Sequence, residues 1–145
     1  MAVRRDRLSD RDKIIVYTDG SSVNNGSPDS KCGWGVLLSY HGKTVTKSGY
    51  RIGRTNNYME MWAVLEAMKS ITDKKIPIEI ISDSKYVIET MCGRYKVGAN
   101  EDLWRELEHE AKKFSDISFT WVKGHSGIEG NEIVNDLAQE AANYA

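Results

Sequence analysis

"IEIISDSKYVIETM" (78–91) holds the junction on which the fold depends. Its first half is a short β-branched run of the buried-strand kind, closed by the carboxylate Asp83. Its second half, "SKYVIETM" (84–91), turns helical. A strand that feeds a helix calls for a crossover, and a crossover implies a parallel neighbour. Upstream the pattern differs. "KIIVYT" (13–18) is a compact strand closed by Asp19-Gly20, and "GWGVLLSY" (33–40) is a second. "HG" (41–42) then turns the chain into "KTVTKSGYRI" (43–52) as a hairpin. "NYMEMWAVLEAMKSI" (57–71) carries apolar residues at helical spacing, and "NEDLWRELEHEAKKF" (100–114) continues the crossover begun at 84. "ISFTWVKG" (117–124) is the fifth strand, and a last helix begins near Gly130. The order βββαβαβα predicts an α/β fold, a mixed five-stranded sheet flanked by helices.

The chain has 145 residues, which suits one domain over 13–145 behind a loose charged leader, 1–12, that includes Arg4, Arg5, Arg7 and Arg11. Hydrophobic content is 40%, charged content 28% and net charge −1, so composition does not announce a nucleic-acid binder. No apolar run reaches membrane-spanning length, and the start lacks the apolar stretch of a signal peptide. Cys32 and Cys92 form neither a disulfide framework nor a metal-spaced cluster, which predicts reduced thiols and the cytoplasm.

Three acids stand in chosen places. Asp19 closes the first strand, Asp83 closes the fourth, and Glu60 lies in the first turns of the first helix. Ligand crevices in open α/β sheets lie at the carboxyl ends of strands. Either aspartate alone reads as a turn residue. Together with Glu60, they read as hard oxygen donors for Mg²⁺ or Mn²⁺.

"YTDGSS" (17–22), "TNNYMEMWAV" (55–64), "SDSKYV" (82–87) and "WVKGHSGIEGNEIVNDLA" (121–138) resemble, in order, the signature blocks of type 1 ribonucleases H. The resemblance implies a ribonuclease H-like fold and an endonuclease that cuts the RNA strand of RNA/DNA hybrids with two Mg²⁺ ions, Mn²⁺ substituting. It implies that Asp19 is shared by both ions, that Glu60 and Asp83 hold the second, and that His125 is a mobile histidine assisting reaction or product departure. It also implies substrate contacts from Asn25, Asn56 and Asn57 in the minor groove. Thr55 and Asn100 would grip a DNA phosphate, with Arg51 or Arg54 as the cation. A monomer with no membrane or obligate protein partner is expected. The basic protrusion of many bacterial members is absent: "MCGRYKVGANED" (91–102) carries only Arg94 and Lys96, so fewer phosphate contacts and a shallower salt dependence follow.

The family's fourth carboxylate position falls on Asn135, with Asp136 beside it. On a helical wheel Val134, Leu137, Ala138 and Ala141 form a buried stripe, Asn135 borders it, and Asp136 points to solvent. The amide therefore looks toward the site. An Asn keeps the shape of Asp and loses its charge, so impaired catalysis is expected. Asn135 reads either as a natural variant or capping residue, or as a deliberate Asp→Asn change. A hybrid-binding module without catalysis, or a nuclease of the same fold with another nucleic-acid substrate, are the rival functions.

Overall fold

A computed structural model describes residues 12–94 and 97–145. The elements are β1 (Ile14–Ser22), β2 (Lys31–Tyr40), β3 (Lys43–Ile52), α1 (Asn56–Ser70), β4 (Ile78–Ser82), α2 (Lys85–Met91), α3 (Glu101–Ala111), β5 (Ile117–Trp121) and α4 (Glu129–Ala142). One mixed sheet forms in the order β3-β2-β1-β4-β5, with β1–β2–β3 antiparallel and β4 and β5 added in parallel. The meander and crossovers expected from sequence are both present. The expected leader lies outside the described residues except for Asp12, and so does Lys96.

The hairpin turn is the two-residue loop His41-Gly42, at φ 50° and 78°, closed by the pair Tyr40↔Lys43. Two positive φ angles give the twist that two-residue hairpins need. Along β1 the side chains alternate: Ile14 and Val16 enter the main core, while Tyr17 meets α4 at Gly130. The core is completed by Met61, Val64, Leu65 and Met68 of α1 and by Leu103, Trp104 and Leu107 of α3. Helix α1 is buried on several sides, between the sheet and α3, which is why its sequence shows no clean polar face.

Helix α4 lies directly on β2. A Cβ at Gly33 would strike the carbonyl oxygen of Ala138, and one at Gly35 would stand 2.8 Å from both the Val134 oxygen and the Leu137 Cβ. The two glycines bring the helix close enough for Asn135 to reach β1.

Several boundaries differ from the sequence reading, and β2 begins at Lys31 rather than Gly33. Strand β1 does not close at Asp19-Gly20; it runs to Ser22, because β2 keeps pairing with it through Ser22↔Cys32. Strand β5 stops at Trp121, short of Gly124, and α3 ends at Ala111 rather than Phe114. Leu137 is half-buried rather than part of the covered stripe, whereas Asn131 is buried within it. Among the described residues no helix is long and apolar enough to cross a membrane.

Candidate metal centre and substrate face

The pairing of β1 with β4 ends at Tyr17↔Ile81, two residues before Asp19. Beyond that point β1 has a strand neighbour on one side only, and the gap at the end of β4 is where the acids gather. Asp19 shares a register position with Gly35, under α4, while the next residue, Gly20, packs against the Met59–Glu60 backbone of α1. Asp83 follows the last residue of β4. Carboxylate oxygens of Asp19, Glu60 and Asp83 lie within 4.8 Å of one another.

Each acid is held by a named partner. The Gly20 N–H donates to Glu60 Oε1 at 2.8 Å, tying α1 to β1. The Trp121 indole N–H donates to the Asp83 carbonyl at 3.1 Å, and Gly124 lies so close to Asp83 that a Cβ there would stand 2.9 Å from Oδ2. Asn135 Nδ2 donates to Asp19 Oδ2 at 3.1 Å, while its Oδ1 accepts from Gln139 Nε2 at 3.2 Å. Asp136 is exposed. The wheel therefore chose the right neighbour. What it could not show is that the amide presents its nitrogen to the acids and its oxygen, the atom a cation would bind, to Gln139.

Charge is concentrated and uncompensated. Burial, and then the Asp83 charge, raise the Asp19 carboxyl to about 6, although hydrogen bonds from Glu60, Gly20 and Asn135 pull the other way. Burial first, then the charges of Asp19 and Asp83, push Glu60 well above the usual carboxylate range. Among the described residues no Lys, Arg or His pairs with any of the three. Three converging carboxylates with no cation of their own fit a hard divalent ion.

That repulsion has a measurable sign. Below pH 3.8 the Asp19 carboxyl is protonated in both the folded and unfolded chain, and the term vanishes. Between 3.8 and about 6 the unfolded chain has released the proton that the folded chain still holds, so stability falls as pH rises. Above 6 the loss is complete, at most about 3 kcal/mol because the neighbouring acids share the proton. Metal-free Asp19→Asn should therefore melt higher than the parent at pH 7 and level with it near pH 4. The same variant should lose most of its divalent-ion affinity. Calorimetry and melting in chelator check both, and a variant no more stable at pH 7 than at pH 4, relative to the parent, counts against the cluster.

The remaining predicted residues lie around this cluster's elements and loops. His125 is exposed, at φ 54°, on the loop between β5 and α4, with Nδ1 3.9 Å from Glu132 Oε1. Its neighbour Gly124 joins this loop to Asp83. Asn25 and Asn56 are linked, since Asn25 Oδ1 accepts from the Asn56 N–H at 2.7 Å, and Asn57 is exposed beside them. Thr55 caps α1, accepting from the Tyr58 N–H at 3.1 Å.

Asn100 adopts φ 56° just before α3 and lines a cavity with Tyr58, Glu101, Asp102, Leu103 and Glu106. Tyr58, whose N–H is capped by the Thr55 hydroxyl at 3.1 Å, shares that wall with Asn100. The arginines have their own seat: Arg54 lies 4.5 Å from the Tyr58 ring, Arg51 lies 4.4 Å from the Trp62 ring, and the two rings stack at 6.1 Å. Arg94 is paired with Glu89 at 3.1 Å, so it is not a free phosphate contact. Gln139, Trp121, Tyr58 and Trp62 were not singled out from sequence. Only Gln139 had a local signal, one helical turn after Asn135.

The RNase H family model matches residues 11–143. The chain belongs to the ribonuclease H family. Among curated relatives of this ribonuclease H, the Ribonuclease H of Chromobacterium violaceum is 33% identical over 146 residues, covering 92% of this chain and 97% of the relative. That of Francisella philomiragia is 35% identical over 144 residues, covering 90% and 91%. The ribonuclease H1 of the halophilic archaeon Halobacterium salinarum superposes with a TM-score of 0.76 at 27% identity, covering 92% of this chain and 99% of that one. LC11-RNase H1, solved in complex with an RNA/DNA hybrid, gives 0.77 at 26% identity, covering 91% and 98%. The mixed five-stranded sheet with flanking helices is the ribonuclease H-like fold, and the family's dependence on divalent metal meets an acidic cluster here.

Proposed function

We propose that this ribonuclease H hydrolyses the RNA strand of RNA/DNA hybrids at the Asp19–Glu60–Asp83 cluster, using two Mg²⁺ ions for which Mn²⁺ can substitute, and that Asn135 slows it. The observation that carries the reading is the convergence of three uncompensated carboxylates within 4.8 Å, in a chain of this family. That a related enzyme, LC11-RNase H1, was solved with a hybrid supports the substrate class.

Asp19, Glu60 and Asp83 would hold the ions, with Asp19 central because it is the acid that Asn135 also touches. When bound, divalent ions supply charge neutralisation and Lewis-acid polarisation at the scissile phosphate. The Gly20 N–H keeps Glu60 aimed at the cluster. His125 brings an exposed imidazole on a glycine-flanked loop, suited to moving a proton at the edge of the site. Asn25, Asn56 and Asn57, all exposed, would face the groove, and Arg51 and Arg54, stacked on Trp62 and Tyr58, would provide cations for the backbone. A monomer acting in the cytoplasm suits the free thiols of Cys32 and Cys92. The domain would span 13–145.

A second reading, a hybrid-binding module with little or no catalysis, is favoured by one observation: the Asn135 oxygen is turned to Gln139 rather than to the acids. Incubating labelled hybrid with the chain and Mg²⁺ separates the two. Slow cleavage of the RNA strand supports the enzyme, and tight binding without cleavage supports the module.

Both readings predict the same substrate preference. Hybrid should bind more tightly than double-stranded DNA or double-stranded RNA, because the asparagines need 2′-hydroxyls on one strand and the protein needs a deformable DNA strand opposite. A titration at fixed salt checks this, and equal affinity for the three duplexes overturns it.

A further inference from the structure

The backbone between β3 and α1 is gripped from the loop that joins β1 to β2. The Arg54 carbonyl oxygen is approached by four donors: Ser22 Oγ at 2.6 Å, Ser30 Oγ at 3.1 Å, Cys32 Sγ at 3.3 Å and the Gly26 N–H at 3.3 Å. The Arg54 N–H donates back to Cys32 Sγ at 3.4 Å, and the Gly53 N–H donates to the Ser30 carbonyl at 2.9 Å. Ser30 and Cys32 are fully buried. A carbonyl offers two lone pairs, so four donors crowd it, and any shift of the segment strands buried polar groups.

Just beyond this hub stand two exposed amides. The Asn56 N–H donates to Asn25 Oδ1 at 2.7 Å, and the Ser22 N–H donates to Asn56 Oδ1 at 2.6 Å. A backbone N–H can only donate, so the atom facing it must be the amide oxygen. Each oxygen thereby spends one lone pair within the protein and is held inward, and the two Nδ2 groups are turned to the surface. Minor-groove edges of every base pair carry acceptors, purine N3 and pyrimidine O2, and RNA adds the 2′-oxygen.

We infer that Ser22, Ser30 and Cys32 are positioning residues that fix Asn25 and Asn56 with their Nδ2 groups presented as donors to acceptor atoms in the groove of the bound duplex. This rests on the hybrid-binding reading above. Ser22 serves both parts, through its hydroxyl to Arg54 and its N–H to Asn56. The buried thiol is the joint between β2 and the hub.

The experiment measures affinity for hybrid and for double-stranded DNA at one salt concentration, together with ¹⁵N relaxation of the Asn56 side-chain amide. The proteins are the parent, Cys32→Ala, Cys32→Ser and Ser22→Ala. Cys32→Ala and Ser22→Ala should each weaken hybrid binding about fivefold to tenfold, weaken DNA-duplex binding less because only the hybrid adds 2′-oxygens to the acceptors both duplexes share, and loosen the Asn56 amide. Cys32→Ser, which keeps a donor, should restore most of the loss. An unchanged hybrid-to-DNA ratio in both alanine variants overturns the inference. So does an equal loss in Cys32→Ser and Cys32→Ala, which would mean packing alone. If the parent shows no hybrid preference, the functional reading fails instead, and the amide relaxation still decides the clamp: rigid in the parent and mobile in Ser22→Ala supports it, no change overturns it. Should Cys32→Ala not fold, the half-buried Ser22→Ala carries the same comparison.

Discussion

Asn135→Asp should raise the rate of hybrid cleavage by roughly two to three orders of magnitude. A carboxylate there would face Asp19 in place of the amide nitrogen that now donates to it at 3.1 Å. In the absence of metal the substitution adds a fourth acid to a cluster whose crowding already raises Asp19 and Glu60, so the metal-free variant should melt lower than the parent. With metal the balance reverses, because the added charge strengthens the hold on the cations. Transition-state charge stabilisation at such a site is worth several kcal/mol, and about 1.4 kcal/mol is tenfold in rate, which sets the expected gain. Hybrid affinity should change little, since the groove contacts proposed above are at Asn25 and Asn56. Asp136→Asn should change neither quantity, because that side chain faces solvent. Single-turnover rates in Mg²⁺ for the three proteins make the comparison. If the parent already cuts as fast as Asn135→Asp, position 135 does not serve the metal site.

The largest structural effect is expected at Gly20. A Cβ there would overlap the Met59 carbonyl and stand 2.5 Å from the Glu60 nitrogen, so backbone rather than a flexible side chain blocks it. Gly20→Ala must lift the start of α1 from β1. That stretches the Gly20 N–H contact to Glu60 and withdraws one carboxylate from the cluster. Overpacking of this kind costs about 3 kcal/mol, or roughly 10 °C in melting temperature for a chain of this size. Divalent-ion affinity should fall in parallel, about tenfold or more, because cation binding needs all three acids converged. Thermal melts and calorimetry test the pair of effects together. A melt within about 2 °C of the parent, a shift smaller than 1 kcal/mol produces, would show that α1 and β1 are not in the contact described.

Much of the site was legible because its parts are local. Strand and helix periods placed Asp19, Glu60 and Asp83 at the ends of elements, and the wheel separated Asn135 from Asp136 by their angle to Val134 and Ala138. The errors came where a residue's state depends on a distant neighbour. The end of β1 was misplaced because pairing with Cys32 of β2, not the Asp-Gly signal, decides where the strand stops. The hub at Arg54 was invisible, since serines and a cysteine in a loop carry no pattern of their own.

What the sequence determined by itself is the order and kind of the elements, the family to which its ordered blocks point, and which side chain of the last helix turns inward. Those follow from backbone sterics and hydrophobic period, which act over a few residues. Only the tertiary structure decided that β1 and β4 lie side by side, so that acids far apart in the chain share one gap. It alone decided that Asn135 offers nitrogen rather than oxygen to Asp19, and that Asn25 and Asn56 spend their oxygens on backbone N–H groups. An amide is symmetric in shape and opposite in polarity at its two ends. Which end faces a ligand is set by the partners that folding brings to it, and those partners are not its neighbours in sequence.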